Sequence, residues 1–267
     1  MNVTILGSGS RGNALVIECD GDRLLVDAGF PARTLVARMR ACGIAPESIS
    51  ALLLTHAHGD HATGARVAAK RFGWTVYATE GTIDALPDLA RVSPVKISTR
   101  ESLQLDTMRV TSVRTPHDCA EPIAITVEGM RSGARCGIAY DLGHVPASVA
   151  RALEGVDALV LESNHDLEML RNGPYPPSLQ RRISGGRGHL SNSMAAGLAR
   201  TIAHRGLRHL VLAHLSEQNN APEVARRTMQ GALRGTVFKG RLGVAPQDRA
   251  LSFEVEHTQG VQQLDLF

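Results

Sequence analysis

The chain has 267 residues, of which 43% are apolar and 21% charged, with a formal net charge of +3. That length and polarity can bury a full core as one large domain, which excludes a disordered or fibrous protein. No apolar run is long enough to span a bilayer, the N-terminus has no basic leader, and the four cysteines form no C-x-x-C pair, so a reduced cytoplasmic setting is expected.

Residues 3–6, 14–18 and 23–26 are short β-rich runs separated by Gly, Asn and Asp, the pattern of an antiparallel meander. Residues 31–42 read as a helix, with Pro31 in its first turn and Gly43 just past its end. An apolar strand at 51–54 leads into a helix at 60–72, followed by strands at 75–78, 95–97, 109–113, 123–127 and 135–139. The second half continues with helix 147–153, strand 158–161, helix 191–204, strand 209–213 and helix 222–233. Strands with helices in each half predict two sheets packed face to face with helices outside, an α/β four-layer αββα sandwich. Residues 1–256 form this domain, and 257–267 read as a polar, flexible tail.

The loop after strand 51–54 reads Thr55-His56-Ala57-His58-Gly59-Asp60-His61, three imidazoles and a carboxylate within six positions. Imidazole nitrogen and carboxylate oxygen are the donors that zinc and manganese accept, and a tight turn leaving a strand aims such side chains into one cavity. His56 and His58 can share one ion while Asp60 and His61 reach a second. The plain alternative is a helix start capped by Asp60 with scattered surface histidines, but the order H-x-H-x-D-H seldom assembles without a metal. Two ions need more donors, and His117, Asp141 and His214 each follow a predicted strand. Singly, each has an ordinary explanation as loop, turn or core residue. Cys119, close to His117, reads as a small packed residue.

The ordered set Asp27, His56-x-His58-x-Asp60-His61, His117, Asp141 and His214 resembles the metallo-β-lactamase superfamily over nearly the whole chain. The resemblance implies that His56, His58 and His117 hold one metal, that Asp60, His61 and His214 hold the other, and that Asp141 bridges them. It makes Asp27 a residue that orients ligands rather than a ligand. The chemistry implied is hydrolysis by a metal-bridged hydroxide on two divalent ions, Zn or Mn, with Asp60 counted as catalytic as well as ligating. Aspartate rather than cysteine at the bridging position favours phosphodiesters over the lactamase branch.

The stretch Gly188-His189-Leu190-Ser191-Asn192 opens helix 191–204, and a helix start with capping side chains and an imidazole suits a phosphate. His189 is a candidate catalytic proton donor to a leaving alkoxide. Arg171, Arg181, Arg182 and Arg187 crowd the preceding region, either to neutralise a polyanion or as a solvated face. Together with Leu161-Glu162-Ser163-Asn164-His165-Asp166, Arg171-Asn172-Gly173-Pro174-Tyr175-Pro176, His214-Leu215-Ser216-x-x-Asn219-Asn220 and Gly9-Ser10-x-Gly12-Asn13, these motifs look like the WalJ (also called YycJ) group of that superfamily. The resemblance implies a metal-dependent DNA 5′ to 3′ exonuclease, with Ser10, Asn13, His165, Ser191 and Asn192 as candidate substrate contacts.

The last residues, Gln263-Leu264-Asp265-Leu266-Phe267, are similar to the bacterial motif that binds the DNA polymerase sliding clamp, an extended peptide with apolar anchors. Recruitment to replication or mismatch repair follows from that resemblance. The span between Asp141 and His189 is too short for the extra domain of β-CASP nucleases, and 3% aromatic residues leave few stacking platforms for single strands. Two other readings stand beside the nuclease: a small-molecule, cyclic phosphodiesterase, and a non-enzymatic clamp-binding accessory protein with structural metals.

Overall fold

The computed structural model describes residues 1–257; the expected clamp motif, residues 263–267, and nearly all of the tail lie outside the described residues. The opening meander forms as expected, with β1 (Asn2–Gly7), β2 (Ala14–Cys19) and β3 (Asp22–Val26) antiparallel. From β3 the sheet turns parallel through β4 (Ala51–Leu53), β5 (Thr75–Thr79) and β6 (Val95–Ile97). The second sheet mirrors it: β7 (Leu103–Gln104), β8 (Met108–Arg114), β9 (Ile123–Gly129) and β10 (Arg135–Ala139) are antiparallel neighbours. The strands β11 (Ala158–Glu162), β12 (His209–Ala213) and β13 (Arg241–Val244) then add in parallel. The last strand, β14 (Leu251–Glu254), crosses back to pair with β1 and completes a seven-stranded first sheet beside a seven-stranded second one.

Alternation along the strands builds the layers. Leu24 and Val26 of β3 and Val211 and Ala213 of β12 point between the sheets into one core. Leu25 and Leu52 face outward onto α1 (Ala32–Ala41), while Leu210 and Leu212 face outward onto the helices of the second half. The result is the αββα sandwich read from the pattern.

The predicted helix at 60–72 divides into α2 (Gly59–Ala62) and α3 (Ala65–Phe72). The break sits at Gly64, whose N–H donates to Ala28 O at 2.8 Å and whose Cβ, if present, would lie 2.3 Å from Phe30 O. A backbone contact that close needs glycine, and it docks the metal loop onto the end of β3. Further helices are α4 (Glu80–Ala85), α5 (Ala147–Ala152), α6 (Leu167–Asn172), α7 (Pro177–Ile183), α8 (Asn192–Ile202) and α9 (Pro222–Leu233). Of these, α4, α6 and α7 lie outside the sequence pattern, as do the short strands β7, β13 and β14. No helix among the described residues is long and apolar enough to cross a membrane.

Candidate metal centre

Six strand ends deliver the site. Asp27 follows β3, the histidine loop follows β4 after two residues, His117 follows β8, Asp141 follows β10, Glu162 ends β11 and His214 follows β12. The strands β8, β10, β11 and β12 all run the same way, so their carboxyl ends open on one edge of the second sheet. Asp27, Asp141 and His214 adopt left-handed backbone with φ of 59°, 53° and 53°. Such a conformation costs a non-glycine residue on the order of 1 kcal/mol, and it turns each side chain sharply off its strand into the gap between the sheets.

The donor atoms fall into the expected sets. His56, His58 and His117 converge, as do Asp60, His61 and His214, and within each set the donor atoms lie within 4.8 Å of one another. Asp141 stands between them: its Oδ2 lies 2.9 Å from His61 Nε2 and 3.6 Å from His56 Nε2, and its Oδ1 lies 3.8 Å from His117 Nε2 and 3.4 Å from His214 Nδ1. Partners on the far ring nitrogens fix which atom faces inward. His61 Nδ1 donates to Asp27 Oδ2 at 2.7 Å, His117 Nδ1 donates to Gly188 O at 2.9 Å, and His56 Nδ1 meets Thr55 Oγ1 at 3.1 Å. His58 turns Nδ1 inward, 3.1 Å from His117 Nε2. Asp27 is itself held by the N–H and hydroxyl of Thr55.

The charge balance of these groups suits cations. Burial disfavours a charged His61, but Asp27 and Asp141 on either side outweigh it and push its pKa up to about 10. Burial opposes charge on His214 as well, yet Asp141, Asp60 and Glu162 raise it well above the usual histidine range. Burial and the neighbouring His61 hold His56 far below that range. The buried His56 Nε2 has no hydrogen-bond partner and faces Asp141 Oδ2, whose one close polar neighbour is His61 Nε2 at 2.9 Å, outside hydrogen-bond geometry. A buried unpartnered donor set of nitrogen and carboxylate oxygen is what divalent zinc or manganese satisfies, and no thiol takes part. The four cysteines are free, and burial pushes the Cys119 thiol up to about 12, in keeping with a packed residue.

A cleft of about 430 Å³ opens above the centre, lined on its polar side by Ser10, His58, Asp60, Asp118, His189 and His214. Of the predicted substrate contacts, only Ser10 lines it. Asn13 is buried, accepting from Gly9 N–H and Ser8 Oγ at 2.9 Å while its N–H2 reaches Asp60 O. Ser191 caps α8 by accepting from Met194 N–H, and Asn192 accepts from Ser163 Oγ at 2.6 Å and donates to Asn220. His165 is buried beneath them, both ring nitrogens unpartnered, with its pKa pulled by burial down to about 4. Ser191 and Asn192 thus complete internal hydrogen-bond networks, while Asn13 also places its Nδ2 3.1 Å from His61 Nε2. Of the arginines, Arg182 reaches the cleft and donates to Asp118 at 2.7 Å, whereas Arg187 is tied to His117 O at 3.0 Å.

Glu162, within the Leu161–Asp166 motif, is placed at the centre of the site although no role for it follows from the sequence pattern. It is fully buried; Oε1 accepts from His189 Nδ1 at 2.7 Å and His214 Nδ1 at 3.2 Å, and Oε2 accepts from the N–H of Leu142 and Leu190 at 2.8 and 3.1 Å. Burial opposes the charge on His189, but Glu162 and Asp141 raise its pKa to about 9. The signal in the sequence was the one that found Asp141 and His214, a ligand-type residue at a strand end.

Residues 22–215 match the family described as the β-lactamase superfamily domain. The chain is 34% identical over 237 residues to a protein named exodeoxyribonuclease YycJ of Bacillus anthracis, covering 87% of this chain and 89% of that one. It is 32% identical over 237 residues to exodeoxyribonuclease WalJ of Streptococcus pneumoniae, covering 86% and 87%. Among solved structures, zinc-bound PqqB of Methylobacterium extorquens superimposes with a TM-score of 0.73 at 18% identity, over 95% of this chain and 100% of that one, which speaks for the fold alone.

Proposed function

The chain belongs to the metallo-β-lactamase superfamily and has its hydrolase fold, and from that premise we propose that it is a DNA exonuclease digesting from 5′ ends with two divalent cations. The observation that carries the reading is the set of seven His and Asp side chains gathered without a thiol beneath one cleft, in a chain similar over most of its length to proteins named exodeoxyribonucleases.

In this reading His56, His58 and His117 hold one cation, Asp60, His61 and His214 the other, and Asp141 both. Zinc or manganese held by these residues would supply a lowered pKa for water and polarisation of the phosphoryl oxygens. The protein's own groups do the rest. Asp27 and Glu162 hold His61 and His214 in one ring orientation, and Asp60, open to the cleft, is the carboxylate positioned to accept a proton from an attacking water. His189, protonated at neutral pH with Nδ1 spent on Glu162, offers Nε2–H to a phosphate oxygen or to the leaving alkoxide. Arg182 on the rim adds a cation for the backbone of the strand. Residues 263–267 would recruit the enzyme to the sliding clamp, and so to replication or mismatch repair.

Duplex DNA labelled at either the 5′ or the 3′ end and incubated with the manganese-loaded protein tests the reading. Early release of the 5′ label, and its loss in a folded His58→Ala variant, is expected. A variant as active as the parent, or a parent that degrades no DNA, overturns it. The size of the cleft, within the range that encloses small ligands, favours a cyclic phosphodiesterase as second reading, which hydrolysis of cyclic nucleotides in place of DNA would establish.

A further inference from the structure

The cleft has two unlike kinds of lining. Besides the His and Asp groups its lining includes Tyr175, Leu179 and Ile183, contributed by the segment that carries α7. Leu179 and Ile183 are four residues apart on that helix and so share a face, and Arg182 stands beside them. Tyr175 lies between Pro174 and Pro176, which restricts its backbone to an extended path, and Gln180 Nε2 donates to Tyr175 O at 2.9 Å. The base of the segment is fixed too: a Cβ on Gly173 would lie 2.7 Å from Asn219 Oδ1. An aromatic side chain on a restrained backbone and two aliphatic side chains therefore line the same cleft as the His and Asp groups.

We propose that Tyr175, Leu179 and Ile183 form a shelf for the nucleobase at the strand end under digestion. This rests on the nuclease reading and deepens it, naming what the cleft grips besides phosphate. A nucleotide is the ligand that matches both, with an anionic end for the cations and Arg182 and a flat π-face for the shelf. Stacking accepts every base, so the shelf contributes affinity and position without sequence preference.

The test compares 5′-labelled duplexes whose terminal nucleotide is intact or abasic, with a phosphorothioate at the terminal linkage, binding to the manganese-loaded protein in fluorescence anisotropy. The parent should bind the intact end on the order of tenfold more tightly, as expected of one stacked base. Tyr175→Ala should bring the intact end to the affinity of the abasic one, while Tyr175→Phe should keep the difference. Equal affinity for both ends in the parent, or an equal loss on both ends in Tyr175→Ala, overturns the shelf. If the parent degrades ordinary DNA yet ignores the terminal base, the shelf alone falls; if it neither binds nor degrades DNA, the nuclease reading falls with it.

Discussion

Replacing Glu162 by Gln keeps the size of the side chain and removes one buried charge. Each carboxylate oxygen has two donors, two imidazole N–H groups on Oε1 and two backbone N–H groups on Oε2. An amide has one acceptor oxygen, so its N–H2 must meet donors on one side, leaving two buried donors unsatisfied at about 1–3 kcal/mol each. Local adjustment recovers part of this, and a stability loss of about 2–4 kcal/mol is expected by thermal melting. The effect on activity is expected to be larger than on the fold, a roughly 10–100-fold lower kcat/KM, because a partner that orients both a ligand and a proton donor is lost. The pH dependence supplies a sharper readout. The His189 pKa is raised to about 9, so its proton, and the stability that the raised pKa contributes, are fully present below the unfolded value near 6.5 and are lost as pH rises through about 9. With the Glu162 charge gone, burial lowers this pKa and only Asp141, 3.0 Å away, opposes it, so the alkaline limb of kcat/KM moves towards neutrality. Glu162→Gln with the parent's melting temperature and an unshifted alkaline limb would refute the reasoning.

Asp27→Asn keeps an oxygen for the Thr55 N–H but sets an N–H2 against the His61 Nδ1–H and removes the charge beside it, and should cost roughly 10–100-fold in affinity for the second cation, read as metal content after dialysis. Loading a chelated sample at neutral pH should release protons, since His61, with its pKa near 10, and His214 must give theirs up; calorimetry in buffers of different ionisation enthalpy measures this, and apparent affinity should fall as pH is lowered. Deleting residues 263–267 should abolish capture by the sliding clamp while leaving digestion of short DNA intact; unchanged capture would disprove the recruitment.

The sandwich and the candidate ligand ring are legible because the first writes an alternating signal into the strands and the second places ligand-type residues just past them. Alternation along β3 and β12 separates an inner from an outer layer, and His117, Asp141 and His214 each announce themselves just past an apolar run. The helix at 60–72 was read as continuous because a single glycine inside a helical pattern is ordinarily tolerated; only the neighbouring Phe30 and Ala28 carbonyls show that Gly64 marks a break. The helices α6 and α7 escaped because, at six and seven residues, they are too short for a helical period to register in the sequence, although α7 carries Leu179 and Ile183 on one face. Asn13, Ser191 and Asn192 are small polar loop residues, and nothing local distinguishes one that meets a ligand from one that completes an internal network. The low aromatic content argued against stacking in general, yet one tyrosine set between two prolines is enough to furnish a wall.

The left-handed backbone at Asp27, Asp141 and His214 also bears on how such a protein can change. At these positions a replacement has to satisfy the chemistry and the torsion together. Glycine and asparagine accept the torsion but carry no charge, while glutamate keeps the charge on a side chain ill suited to that conformation. The ring is thereby closed to gradual variation. The apolar lining beside it comes from a segment that lends no strand to either sheet, so new substrates can be explored there while the chemistry beneath stays as it is.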